Sequence, residues 1–162
     1  MSTLTNNYQA PLSTNRAYYT AAGYGGAAGI LMGCYLLLTG DYITGFHPGI
    51  ALSKYLILGT AIALFLNWFK SVYNGEKIFR KGMKYGLFTT VVSAVTLAVF
   101  SLIASSFYHT ETTGNYFLND GSSDLQSGFT LAGVTFFECF VAGMILTFIW
   151  LQLFKGNNAT DH

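Results

Sequence analysis

Charge is what this chain has least of. Only 9% of its 162 residues are charged, and the net charge is +1. A soluble domain averages about 25% charged residues. So low a value excludes an ordinary water-facing surface. The near-neutral balance also argues against a nucleic-acid partner, which selects a strongly basic domain. Cysteine is scarce: Cys34 and Cys139 lie far apart in apolar runs and form no CxxC pair. A disulfide framework therefore has no basis, and buried free thiols are expected. The first sixteen residues lack the basic start and short apolar stretch of a secretory signal. Residues 1–16 read instead as a disordered tail, rich in Ser, Thr and Asn. There is no glycine-rich phosphate loop, nucleophile elbow or HExxH, so no reaction is written in a motif.

What is abundant is apolar surface. Hydrophobic residues make up 52% of the chain and aromatics 17%. About 20 apolar residues cross the hydrocarbon core as a helix. Four stretches qualify, at about 17–39, 50–69, 85–108 and 128–154. They are apolar all round, as expected of helices that meet lipid. The fold class is all-α: a polytopic up-down bundle of four transmembrane helices over residues 17–154, with a short tail at 155–162.

The basic residues set the orientation. Lys70, Lys77, Arg80, Lys81 and Lys84 crowd one loop, Arg16 precedes the first span, and Lys155 follows the last. The loops 40–49 and 109–127 carry none, but hold Asp41, Glu111, Asp120 and Asp124. The positive-inside rule places both termini and the middle loop in the cytoplasm. Tyr18, Tyr19, Trp68, Tyr73, Tyr85 and Trp150 fall at the inner headgroup level. Tyr42, Phe46, Phe107 and Tyr108 fall at the outer one. Within the basic loop, Ile78, Phe79 and Met83 alternate with cations. This is either a short interfacial helix that attracts anionic lipid or a solvated turn carrying topogenic charge.

Two charged residues break the pattern. Glu138 lies ten residues into the fourth span, where a carboxylate costs roughly 2.5–3.5 kcal/mol on insertion scales. Lys54 lies about one turn inside the second span. The axial offset between them is roughly 9 Å at 1.5 Å per residue, which two long side chains can close if the helices are neighbours. Otherwise Lys54 snorkels to the outer headgroups. Three roles are open for Glu138: a structural ion pair or hydrogen-bonded carboxyl, a proton or cation site, or contact with another subunit. Thr60, Ser93, Thr96 and Thr135 are candidate hydroxyl partners for its protonated form. Asn67, near the inner end of the second span, can bond across helices or reach headgroup water.

Small residues mark close packing. Ala21, Gly25, Gly29 and Gly33 recur every four residues in the first span. Such a stripe lets another helix approach closely. The partner is a span of the same chain or a second copy. Thr135, Cys139, Gly143 and Thr147 make a counterpart stripe in the fourth span, so packing of the first span on the fourth is expected, with Glu138 flanking the contact. His47 and His109, with Asp41 and Glu111, have no spacing diagnostic of a metal. No cofactor or metal is expected.

The stretch from Phe69 through Lys70, Ser71, Val72, Tyr73, Asn74, Gly75, Glu76, Lys77, Ile78, Phe79, Arg80, Lys81, Gly82, Met83 and Lys84 to Tyr85 and Gly86 joins an aromatic-basic span end to a Gly turn, an amphipathic piece and a Gly opening the next span. In this order of features the chain resembles the bacterial family called domain of unknown function 4199. The resemblance extends over roughly 100 residues, dominated by hydropathy, at the scale of a whole domain. It implies a small four-span inner-membrane protein and no established activity. Residues and resemblance together lead to a non-enzymatic accessory or assembly subunit of a larger membrane complex, partnered by lipid and by other membrane subunits or its own copies. The alternative is a small proton- or cation-coupled transporter or channel using Glu138. A membrane-embedded enzyme would need more polar residues gathered at one depth.

Overall fold

The computed structural model describes residues 14–39, 48–73, 78–107 and 124–156. The expectations for the tails at 1–13 and 157–162 fall outside them, as do those for His47, His109, Asp41, Glu111, Asp120, Tyr42, Phe46 and Tyr108.

The described residues form four helices and no strand. They are α1 (Thr14–Leu38), α2 (Pro48–Val72), α3 (Ile78–Phe107) and α4 (Asp124–Gly156). An apolar run in lipid has no water for its N–H and C=O groups, and a helix satisfies them within the segment. Each helix is long and apolar enough to cross a membrane. At 1.5 Å per residue the 25-residue α1 is about 37 Å long, against a core of about 30 Å. Leu38, Leu56, Leu64, Phe129, Phe137 and Ile145 lie on the outside, exposed. That surface is apolar where a water-soluble bundle would be polar. Pro48 begins α2, where its missing N–H is no loss. At the end of α1 the Thr39 amide donates to the Tyr35 carbonyl at 3.0 Å.

The middle loop differs from the expected one. α2 continues to Val72 and α3 starts at Ile78. Ile78 to Lys84 are therefore the first turns of the third span, not a separate interfacial helix. The helix contains no Pro and runs on through Gly82 and Gly86.

Paired contacts give the directions. Tyr18 meets Tyr85, and Gly33 meets Phe100, so α1 and α3 run parallel. Tyr24 meets Phe65 and Tyr35 meets Ser53, so α1 and α2 are antiparallel. Gly86 meets Thr147 and Gly143 meets Thr90, so α3 and α4 are antiparallel. The directions alternate along the chain. The spatial order, however, is α1–α3–α4–α2: α1 packs on α3 and α2, and α4 packs on α3 and α2. The closest seams are α1·α3 and α3·α4.

This order corrects the expected partner of the glycine stripe. Gly25, Gly29 and Gly33 lie against α3, not α4. A Cβ on Gly25 would press on the backbone carbonyl of Thr89. One on Gly29 would sit 2.8 Å from the Ser93 carbonyl and 2.7 Å from Thr96 Cβ. One on Gly33 would sit 2.6 Å from the Phe100 ring. The small stripe of α4 also faces α3, where Gly143 receives the Thr90 side chain. α3 is thus gripped from both sides. It carries its own small residues there: Gly86, Thr89, Thr90 and Ser93, all buried. Two seam hydroxyls turn inward on their own helix: Thr89 donates to Tyr85 O at 3.0 Å and Thr90 to Gly86 O at 3.1 Å. Such back-bonding lets a polar residue pack in an apolar seam without an orphaned donor.

Phe65, Phe69, Met32, Leu58, Ile62 and Leu97 fill the core. One end of the bundle is aromatic. Tyr18 and Tyr85 lie 5.0 Å apart edge to face, Phe69 and Tyr85 5.3 Å, and Phe69 stacks on Tyr73 at 5.2 Å. Lys81 sits over the Tyr73 ring at 4.4 Å and Lys84 over Tyr18 at 5.5 Å. Aromatic rings and cations converge here from α1, α2 and α3.

Candidate functional site

Position along the helices brings the two in-span charges together. α2 and α4 run parallel, with Gly59 facing Leu146 as Lys54 faces Glu138. Lys54 Nζ donates to Glu138 Oε2 at 3.1 Å. Lys54 is 5% exposed, so it does not snorkel to the headgroups. Its ammonium is spent on the carboxylate.

The depth follows from helix geometry. Lys54 lies 14 residues before Trp68, about 21 Å along α2 at 1.5 Å per residue. Trp68 belongs to the aromatic end. With a core of about 30 Å, the pair sits well inside hydrocarbon, nearer the far face. An unpaired charge there is costly. Together the two charges are neutral.

Other polar groups gather at the same level. The Tyr55 ring lies 5.2 Å from Lys54 Nζ. Its hydroxyl is buried near the Glu138 carboxylate but does not reach it in hydrogen-bond geometry. The Ser93 hydroxyl of α3 lies next to the Cys139 thiol and is likewise buried without a partner. One residue before Lys54, Ser53 Oγ meets the Tyr35 hydroxyl at 2.5 Å, tying α1 to α2. Polar side chains from three helices thus share one layer: Lys54 and Tyr55 from α2, Ser93 from α3, Glu138 and Cys139 from α4.

The layer is not sealed. The Glu138 side chain is 38% exposed. It opens into a shallow groove of about 820 Å³ along the outside of α2 and α4, lined by Tyr55, Gly133, Val134, Phe137, Glu138, Val141, Ala142 and Ile145. The lining repeats at three- and four-residue intervals on α4, the spacing of one helix face. Glu138 is its one charged member. A carboxylate thus faces sideways toward lipid, clamped from behind by a buried ammonium.

The expected hydroxyl partners of Glu138 are committed elsewhere. Thr60 donates to Leu56 O at 2.7 Å, Thr96 to Val92 O at 2.8 Å, and Thr135 to Leu131 O at 2.8 Å. Ser93 is the exception, since its buried hydroxyl makes no hydrogen bond. Asn67 is exposed on the bundle surface. The thiols differ from expectation in one case: Cys139 is buried, but Cys34 is exposed, because it lies on the lipid side of α1. Tyr55 is the residue that sequence reasoning passed over. It follows Lys54, and its aromatic ring reads as one more interfacial tyrosine until the helix register is known.

No protein-family model matches the chain, and neither the curated proteins nor the solved structures contain a match to it.

Proposed function

We propose that this chain is a non-enzymatic accessory or assembly subunit of a larger membrane complex, docking through the α2–α4 face. One observation carries the reading: Glu138, compensated by Lys54, remains more than a third exposed toward lipid. Burying the carboxylate fully behind α2 would have satisfied the fold alone. An exposed acceptor in hydrocarbon is stabilised when another polypeptide covers it, because lipid tails offer it no donor. The reading places the chain in the bacterial inner membrane, both termini and the basic α2–α3 connection on the cytoplasmic side, following the positive-inside rule. The resemblance to the domain of unknown function 4199 family fits the same reading and adds no activity.

Native mass spectrometry of the gently solubilised protein tests it. The variant to compare is the double substitution Lys54→Leu with Glu138→Leu, which removes both charges and strands neither. The expected result is a heteromeric complex for the parent chain that is lost in the double variant. A chain that purifies only alone, or a complex indifferent to both substitutions, sinks the proposal.

A second reading is a proton- or cation-coupled transporter. It is favoured by the polar layer spanning α2, α3 and α4, with Glu138 open on one side. It calls for a pH-dependent flux in proteoliposomes that Glu138→Gln abolishes while assembly persists.

A further inference from the structure

We propose that Arg80 and Lys84 hold the phosphate of an anionic phospholipid on the outer face of α3, with its acyl chains laid along Val91, Val95 and Val99 below. This site is separate from the α2–α4 face and does not depend on the subunit reading.

Charge is unbalanced at this end of the bundle. Residues 70–84 hold five basic side chains and one acidic, Glu76. One carboxylate neutralises one cation at most. Arg80 and Lys84 are both exposed, and among the described residues neither has an ion pair. They stand four residues apart, so they share a helix face with Cβ atoms about 5–6 Å apart. Like charges at that spacing repel. Lys84 rests over the Tyr18 ring at 5.5 Å, and a ring face attracts an ammonium without cancelling its charge. Lys81 turns elsewhere, over the Tyr73 ring at 4.4 Å. An anion between Arg80 and Lys84 relieves their repulsion, and a phosphate has oxygens enough for both.

Position identifies the anion as part of a lipid. The 30-residue α3 is about 45 Å long against a core of about 30 Å. Its first turns therefore stand at headgroup level, beside the aromatic cluster. Below the two cations the same face turns apolar: Val91, Val95 and Val99 are exposed at four-residue steps. Val95 lies 11 residues beyond Lys84, about 16 Å along the helix at 1.5 Å per residue. That is half of a core of about 30 Å, the depth of one leaflet. A charged head and an apolar tail thus meet one continuous strip. Free phosphate or an acidic peptide would match only its upper end. A zwitterionic headgroup brings its own ammonium against Arg80 and Lys84.

The experiment is native mass spectrometry of the full chain, titrated in detergent with phosphatidylglycerol and phosphatidylcholine of identical acyl chains. The first phosphatidylglycerol is expected to bind about tenfold more tightly than phosphatidylcholine, as two basic side chains at a membrane surface provide. Arg80→Gln with Lys84→Gln should bring the two lipids level, and each single substitution should remove about a threefold share. The single variants decide the matter where the double variant fails to fold. Lys70→Gln with Lys155→Gln removes the same charge from the same end of the bundle and should leave the preference in place. Equal binding of the two lipids to the parent chain overturns the proposal. So does an equal loss in both double variants, which would mean diffuse surface charge without a site. So does displacement of bound phosphatidylglycerol by inorganic phosphate at equal concentration, which would make the site one for free phosphate.

Discussion

Lys54 and Glu138 hold the energetic balance at residue scale. Removing one partner leaves the other as an uncompensated charge in hydrocarbon, whereas removing both leaves none. Glu138→Leu alone, which leaves Lys54 buried, should destabilise the bundle by about 3 kcal/mol, the low end for a buried pair because Glu138 is partly open. Lys54→Leu with Glu138→Leu should recover most of that loss. Unfolding in mixed micelles, compared across the three chains, measures it. A double variant as weak as the single one would mean that the pair contributes through packing, not charge. The unpartnered Tyr55 hydroxyl gives a sharper contrast. Tyr55→Phe removes a buried donor that makes no bond, so its stability should change by less than about 1 kcal/mol, while a truncation to Ala loses the ring packed on Lys54.

The helices meet on small residues, and there the glycines are not equivalent. On α1, Gly25 and Gly29 face backbone carbonyls of α3, which cannot swing aside. Gly33 faces the Phe100 ring, which can rotate. Gly23 faces open space. Substitution by Ala should therefore cost most at Gly25 and Gly29, about 1–3 kcal/mol as overpacking, less at Gly33, and nothing measurable at Gly23. The same four variants, assayed for unfolding, check the ranking. If Gly23→Ala proves as damaging as Gly29→Ala, helix propensity or insertion, not the α1·α3 seam, is being read. Spacing alone had shown that α1 carries a smooth face. It was silent on which helix fills that face, because α3 and α4 both present small residues at helical intervals. The answer needed the register of three helices at once. α3 offers small hydroxyl residues on two neighbouring faces, Thr89 and Thr96 to α1 and Thr90 to α4, so both glycine-bearing helices can close on it.

At the scale of the whole molecule, alternation of direction and order in space are separate facts. The chain runs up and down in turn, yet the first and third helices are neighbours. Cysteines introduced at Tyr18 and Phe88, whose rings are 5.1 Å apart, should be joined within one chain by a short bifunctional thiol reagent. Cysteines at Tyr18 and Trp150, on helices across the long diagonal, should not. Orientation has its own check. In right-side-out vesicles an impermeant thiol reagent should label a cysteine placed at Asn119 and spare one placed at Gly75, in a chain whose native cysteines have been replaced. The reverse pattern would invert the proposed topology.

Hydropathy determined the class, the number of spans and their approximate limits, since a bilayer demands long apolar helices whatever their neighbours. It also exposed Glu138 and Lys54, because charge within such a run is conspicuous. Helix ends were less legible: Thr14 to Arg16 and Ile78 to Lys84 are helical although polar or basic, for a helix need not stop where the apolar core stops. Only the tertiary structure decided that α1 packs on α3, that Lys54 is buried, and that Tyr55, Ser93 and Cys139 join Glu138 in one layer. These depend on rotation and axial register between helices. In an interior where every face of every helix is apolar, no periodicity in the sequence records either one.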